Sequence, residues 1–203
     1  IFCNFGCMLK EEYLTVGSVA TSKLVEKKSV FYGFAVPVED ELQVEEQLRQ
    51  FRKKYYDARH VCYAYCLNGE TAIEKSSDNG EPSGTAGRPM LGVLQSHCLT
   101  QVLLVAVRYF GGIKLGTSGL IAAYREVAEL TLANAEIVTR KYMEHYSFTF
   151  GYDAMNVVMT AVKAKDVQVV SSSFDLTCRL TVTGVPSEVA RLKVLLEGKI
   201  ENV

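Results

Sequence analysis

Two glycine-rich loops hold the residues whose types and spacing can do chemistry. In the first, SSDNGEPSGTAGRP from Ser76 to Pro89, Asp78 and Glu81 stand three residues apart, as a general acid and a general base might. Turn chemistry explains them equally, because Asp-Asn-Gly and Glu-Pro-Ser-Gly are ordinary turn formers. No Ser-His-Asp or Cys-His grouping is completed nearby, so the turn reading is preferred and no catalytic residue is assigned. In the second loop, RYFGGIKLGTSG from Arg108 to Gly119, a strand-like run leads through glycines and Lys114 to Thr117 and Ser118. Orphan backbone N–H groups at a helix start there, with Arg108 and Lys114 beside them, would make a seat for phosphate or carboxylate. The order is not that of a Walker loop, which requires G-x-x-x-x-G-K-[ST]. The competing reading is a tight strand-to-helix turn with Thr117 as its N-cap, and with Tyr109 and Phe110 packing rather than stacking on bases.

Charge and glycine mark the same stretch. Eight of the 15 glycines fall between Gly80 and Gly119. Gly84, Gly87, Gly111, Gly112 and Gly116 are read as shaping the loops, since glycine permits positive φ and close backbone approach. From Pro82 to Arg125 there is no carboxylate, while Arg88, Arg108, Lys114 and Arg125 remain, which leaves the loops open to an anion. A third candidate lies upstream in ARHVCYAYCL, where strand alternation puts His60, Cys62, Ala64 and Cys66 on one face and Val61, Tyr63, Tyr65 and Leu67 on the other. Successive same-face residues lie about 6–7 Å apart. With no fourth ligand in a compact motif, buried thiols are preferred to zinc, and neither metal nor cofactor is expected.

The elements that must position these residues follow from periodicity. Strands are expected at Val19–Val25, Val30–Val36, Ala58–Leu67, Glu70–Lys75 and Gln101–Tyr109, with Asn68-Gly69 as a hairpin turn. Helices are expected over Val44–Tyr55 with Glu45 and Arg49 paired outside, over Gly87–Ser96, and over 118–136. The pattern resets at Ile137–Lys141. Beyond it Tyr146, Phe148 and Phe150 alternate, Asp153 is placed to cap a helix, Val167 and Val169 begin a strand, Phe174 to Val182 keep a period of two, and Pro186 opens a last helix. A β-α-β-β-α order of this size points to a ferredoxin-like second domain. The fold class is therefore α+β with two domains, 15–137 and 142–203.

Composition bounds the class. At 203 residues, 48% hydrophobic and 22% charged, the chain is ordinary for a globular protein, and no apolar run reaches the roughly 20 residues of a membrane span. A net charge of −1 leaves any nucleic-acid contact to a local patch. Six cysteines do not make a disulfide scaffold, and with no export signal the expected location is the cytoplasm. Residues 1–7, upstream of Met8, are set aside from the fold.

The segments ARH (Ala58–His60), SDNGEPSGTAGRP (Ser77–Pro89) and VRYFGGIKLGTSGL (Val107–Leu120) resemble the IMPACT/YigZ family, and the likeness covers nearly all of the chain after Met8. Val61 and Ser118 depart from its pattern, where members often carry a polar residue and glycine. The resemblance implies a first domain with the fold of elongation factor G domain IV and a ferredoxin-like second domain. Eukaryotic members regulate translation by competing for a ribosome-associated activator of a stress kinase, using an additional N-terminal domain not recognised in this sequence. A proline dipeptidase label given to some bacterial relatives finds no paired metal-ligand set here. The resulting expectation is a non-catalytic, translation-related module that binds RNA, the ribosome or a translation-related protein. Its anion-binding residues are Arg59, His60, Arg88, Arg108, Tyr109, Lys114 and Thr117. The alternative is an enzyme that holds a phosphorylated small molecule through the 108–118 loop.

Overall fold

The computed structural model describes residues 11–68 and 72–202. The residues set aside at 1–7, Gly69 of the turn expected at Asn68-Gly69, and Glu70 and Thr71 of the strand expected after it lie outside that range. The chain divides into two compact units, one of residues 14–139 and one formed by residues 140–202 with 11–13. The fold is mixed α+β with antiparallel sheets.

In the first unit, β2 (Ala20–Glu26), β3 (Ser29–Pro37), β4 (His60–Leu67), β5 (Ile73–Ser77) and β6 (Val102–Tyr109) form a five-stranded sheet in the order β2-β3-β6-β4-β5. All four pairings are antiparallel. β6 is the middle strand, and it reads VLLVAVRY because both faces are covered. On one face Cys62, Ala64, Cys66, Leu104 and Ala106 meet α2 (Gly87–Ser96) and α3 (Gly116–Ala133). On the other, Val61, Tyr65, Leu67, Leu103 and Val105 meet α1 (Glu41–Lys54). The alternation read in ARHVCYAYCL is thus the division between two cores, with the thiols on the α2 and α3 side. Each fully buried aliphatic or aromatic side chain there contributes about 1.5–3 kcal/mol.

Local chemistry sets the helix positions. Asp40 caps α1 by accepting from the Gln43 backbone N–H at 2.7 Å, and Arg49 pairs with Glu46 rather than with the expected Glu45. α3 lies close against β3 because residue 33 is glycine. A Cβ there would stand 2.1 Å from Thr131 Oγ1 and 2.9 Å from Val127 Cγ2. β5 runs two residues later than its expected end, reaching Ser77 and so delivering the chain directly to Asp78. A strand absent from the sequence reading, β1 (Glu12–Val16), pairs with β7 (Ile137–Lys141) in a two-stranded sheet, so 137–141 is itself a strand.

The second unit has β8 (Glu144–Phe150), a 3-10 turn at Tyr152–Ala154, α4 (Met155–Lys163), β9 (Val167–Phe174), β10 (Cys178–Gly184), α5 (Pro186–Leu196) and β11 (Glu201–Asn202). Its sheet order is β11-β8-β10-β9. Two local expectations are corrected. Asp153 lies within the 3-10 turn and does not cap α4, whose cap position is Ala154 with no side-chain bond. The period of two from Phe174 to Val182 spans a hairpin: β9 ends at Phe174, Leu176 is fully exposed, and β10 starts at Cys178.

Candidate functional site

The first loop is fastened by Asp78. Leaving β5, its carboxylate accepts from the backbone N–H groups of Gly84 (2.7 Å), Ala86 (2.9 Å) and Gly87 (2.8 Å). α2 has no cap from its own Ala86, so Asp78 takes over the orphan donors of the helix start. Burial is the largest single influence on Asp78 and works to raise its pKa. The three N–H groups and nearby Arg88 together outweigh it and hold the carboxyl below its ordinary value. Gly87 is required here, since a Cβ would lie 2.7 Å from the Ser77 nitrogen. Asn79 closes the loop onto β4 by accepting from the Val61 N–H at 2.8 Å, and its carbonyl lies 2.9 Å from His60 Nδ1. A carbonyl can only accept, so Nδ1 carries the proton and Nε2 faces Glu81 at 3.9 Å. The Cys62 thiol donates to the Asp78 carbonyl at 2.9 Å, and burial pushes it up to about 12, which removes it as a nucleophile at neutral pH.

Glu81 does more than turn the chain. Its side chain is 4% exposed and accepts from Arg108 Nη1 at 2.5 Å and from the Tyr124 hydroxyl at 2.9 Å. Burial, foremost, drives the Tyr124 phenol far above its ordinary pKa, so it donates and does not ionise. Arg108 also reaches Ser29 Oγ through Nη2 at 3.3 Å, and its guanidinium lies over the rings of Phe31 (5.4 Å) and Phe110 (5.7 Å). This corrects the assignment of Arg108 to an anion-binding surface: the residue is 5% exposed and its charge is matched by a buried carboxylate. His60, 9% exposed beside the same carboxylate, is withdrawn from the surface as well.

The second loop is held by shape. Gly111 donates to Ser29 Oγ at 3.3 Å, and a Cβ on it would stand 2.0 Å from the Lys28 carbonyl. Gly112 and Gly116 adopt φ of +87° and +74°. Leu115 occupies the cap position of α3 and no side chain caps it. Thr117 is therefore inside the first turn and is not the N-cap, a second correction with a simple cause: Gly116 turns the chain into the helix earlier than a hydroxyl at 117 could. Tyr109 also departs from its assignment. Strand alternation turns it to the α1 face, where it packs against Tyr32 and donates to Asp57 at 2.8 Å. Phe110 and Ile113 are instead 45% and 44% exposed, and Lys114, Thr117 and Ser118 are exposed with them.

Strand register gathers these loops at one end of the sheet. Arg108 stands opposite His60 at the start of β4, and Tyr109 opposite Val30 near the start of β3. The β2–β3 turn belongs to the same end and presents Lys27 and Lys28, both exposed and both at positive φ. The sequence signal for them is Glu26-Lys27-Lys28, the break between the strands expected at Val19–Val25 and Val30–Val36. Lys27, Lys28, Arg59, Arg88 and Lys114 are exposed here, and none of them has an ion-pair partner among the described residues. The acids of the loops are turned inward: Asp78 holds backbone N–H groups, and Glu81 holds Arg108 and Tyr124.

These features define an α+β protein whose loop acid and thiol groups are committed to holding two loops, and whose exposed cations at that end outnumber the remaining carboxylates there, Glu26 and Asp57. The family model for the Impact N-terminal domain matches residues 27–132. The chain is 31% identical over 173 residues to an IMPACT family member of Haemophilus influenzae, spanning 83% of each protein. It is 40% identical over 131 residues to the IMPACT family member YvyE of Bacillus subtilis, a match that spans 64% of this chain and 60% of that protein. A crystal structure described only as a hypothetical protein is similar over 96% of this chain and 98% of its own, with 26% identity and a TM-score of 0.75. The chain belongs to the IMPACT family. No helix among the described residues is long and apolar enough to cross a membrane.

Proposed function

We propose that this protein is a non-catalytic regulator linked to translation that binds the RNA backbone, free or on the ribosome, through the end of the sheet carrying Lys27, Lys28, Arg59, Arg88 and Lys114. The observation that carries the proposal is the separation of charge there: cations point to solvent while Asp78 and Glu81 point inward. An excess of exposed cations, five against the carboxylates of Glu26 and Asp57 at that end, favours a polyanion even on a chain of net charge −1. The non-catalytic part rests on the same bonds, because Asp78, Glu81 and Cys62 are each engaged in holding backbone or a buried partner. The link to translation follows from family membership and from the regulatory role that the resemblance carries.

The test is binding of a labelled single-stranded oligoribonucleotide, and of ribosomal particles, across a salt series. Each phosphate neutralised on a single strand contributes about −0.7 to the log-log slope, so engagement of Lys28, Arg88 and Lys114 gives about −2. Replacing those three residues with alanine flattens the slope and weakens binding to all sequences alike, because phosphate contacts position without specifying. Absence of salt-sensitive binding to either probe at low ionic strength defeats the proposal. Turnover of a phosphorylated metabolite that is lost on Lys114→Ala replaces it with the small-molecule reading.

A further inference from the structure

An exposed aromatic ring stands at the end of the central strand, on the cationic end. Phe110 follows the last residue of β6 and is 45% exposed, although the neighbouring strand residues are buried or packed. The backbone that follows it is held, because Gly111 packs against the Lys28 backbone and donates to Ser29. The Arg108 guanidinium lies over the Phe110 ring at 5.7 Å from its centroid, and over the buried ring of Phe31 at 5.4 Å. Arg108 is in turn held by Glu81 and Ser29. The contacts from Phe31 through Arg108 to Phe110 lead from the core to solvent, and the exposed Lys28 and Lys114 belong to the same end of the sheet.

We infer that Phe110 is a stacking platform for one unpaired base, so that the ligand of this end is single-stranded RNA rather than duplex. This rests on the RNA-binding reading proposed above and narrows it. A planar base laid on the exposed part of Phe110 would stack on its ring, while Lys28 and Lys114 at the same end meet phosphates. Aromatic stacking beside a cationic track is how single strands are held without sequence reading. In a duplex the base faces are already covered by their neighbours, and Phe110 would have nothing to accept. Arg108 acts here through Phe110, as a positioning residue, and not as a phosphate ligand. The charge around the ring argues for a nucleic-acid occupant over an apolar protein segment, which the lysines would not favour.

The experiment compares three probes of equal phosphate count on the whole protein at low salt: a single-stranded oligoribonucleotide, an abasic version of it, and a duplex. The expected result is that the single strand binds about tenfold tighter than the abasic strand, with the duplex no better than the abasic probe. Phe110→Ala abolishes that preference while leaving the salt slope unchanged, and Phe110→Trp retains it. Equal binding of the abasic and base-carrying strands by the unmodified protein, or a preference that survives Phe110→Ala, overturns the platform while leaving backbone binding standing. A salt slope absent from all three probes overturns the backbone reading itself. Because Phe110 is at the surface, unchanged melting of the variants verifies that folding is not the cause.

Discussion

The two glycine loops at the end of the first unit differ in how they are held. Between residues 78 and 87 the chain is tied by side chains: Asp78 accepts three backbone N–H groups, Asn79 reaches β4, and Glu81 is clamped by Arg108 and Tyr124. Between residues 110 and 116 shape replaces ties. Gly111 makes one bond to Ser29, two glycines take positive φ, and α3 begins without a side-chain cap. The loop with more reactive residues is the structural one, and the loop with fewer presents Phe110, Ile113 and Lys114 to solvent. Acids used as fasteners are removed from the surface, and that removal is what leaves the second loop and its neighbours cationic.

The sharpest way to break this contrast is Glu81→Ala. It leaves the Arg108 charge buried and unpaired, for which a loss of about 3–5 kcal/mol is expected. Urea denaturation followed by circular dichroism measures it. The pair itself is not what makes the fold stable, because both charges are desolvated. Glu81→Gln combined with Arg108→Met is therefore expected to recover most of the loss. A single variant that falls by less than about 1 kcal/mol would mean that the first loop is as loosely held as the second.

How much of this could be read beforehand depends on the range of the interaction. Strand β4 and helix α2 are local patterns: the two faces of β4 and the bounds Gly87–Ser96 of α2 agree with the sequence, while β4 begins at His60 and not at the expected Ala58. The loop sequence around Asp78 was legible as turn chemistry because its acceptor and donors lie within nine residues. The Glu81–Arg108 pair spans 27 residues, and the meeting of Arg108 with His60 depends on the β4–β6 register, which no local pattern encodes. That is why Arg108 was read as a surface cation. Lys27 and Lys28 were visible as a break between strands, but their place beside Gly111 depends on β3 pairing with β6. β1 was missed for the same reason, since its partner β7 lies at the far end of the unit.

A smaller effect, with a direction in pH, separates the loops again. The Asp78 pKa is depressed in the folded protein, so its contribution is complete above the unfolded value of about 3.9 and is lost as pH falls through the lower folded value. Asp78→Asn is expected to cost about 1–2 kcal/mol near neutral pH, as loss of a charged helix cap does. The difference between the two proteins should then narrow as acid protonates Asp78. Equilibrium unfolding at pH 7, 5, 4 and 3 checks the sign. A difference that widens in acid would show that the three N–H bonds do not favour the carboxylate.

The smallest expected effect is on the second loop, and its smallness is the point. Lys114 is exposed and has no ion-pair partner among the described residues, so Lys114→Ala should shift stability by no more than about 0.5 kcal/mol. Lys28→Ala should behave alike. The Lys28 backbone, not its side chain, is what Gly111 packs against, and that backbone survives the substitution. Each change should nevertheless remove about 0.7 from the salt slope of single-strand binding, one phosphate at a time. Thermal melting and the salt series on the same preparations separate the two readouts. If Lys114→Ala destabilised the protein by more than about 1 kcal/mol, the second loop would be anchored by its side chains after all. The division between a fastened loop and a presenting loop would then fail, because a residue needed to hold the fold is not free to meet a ligand.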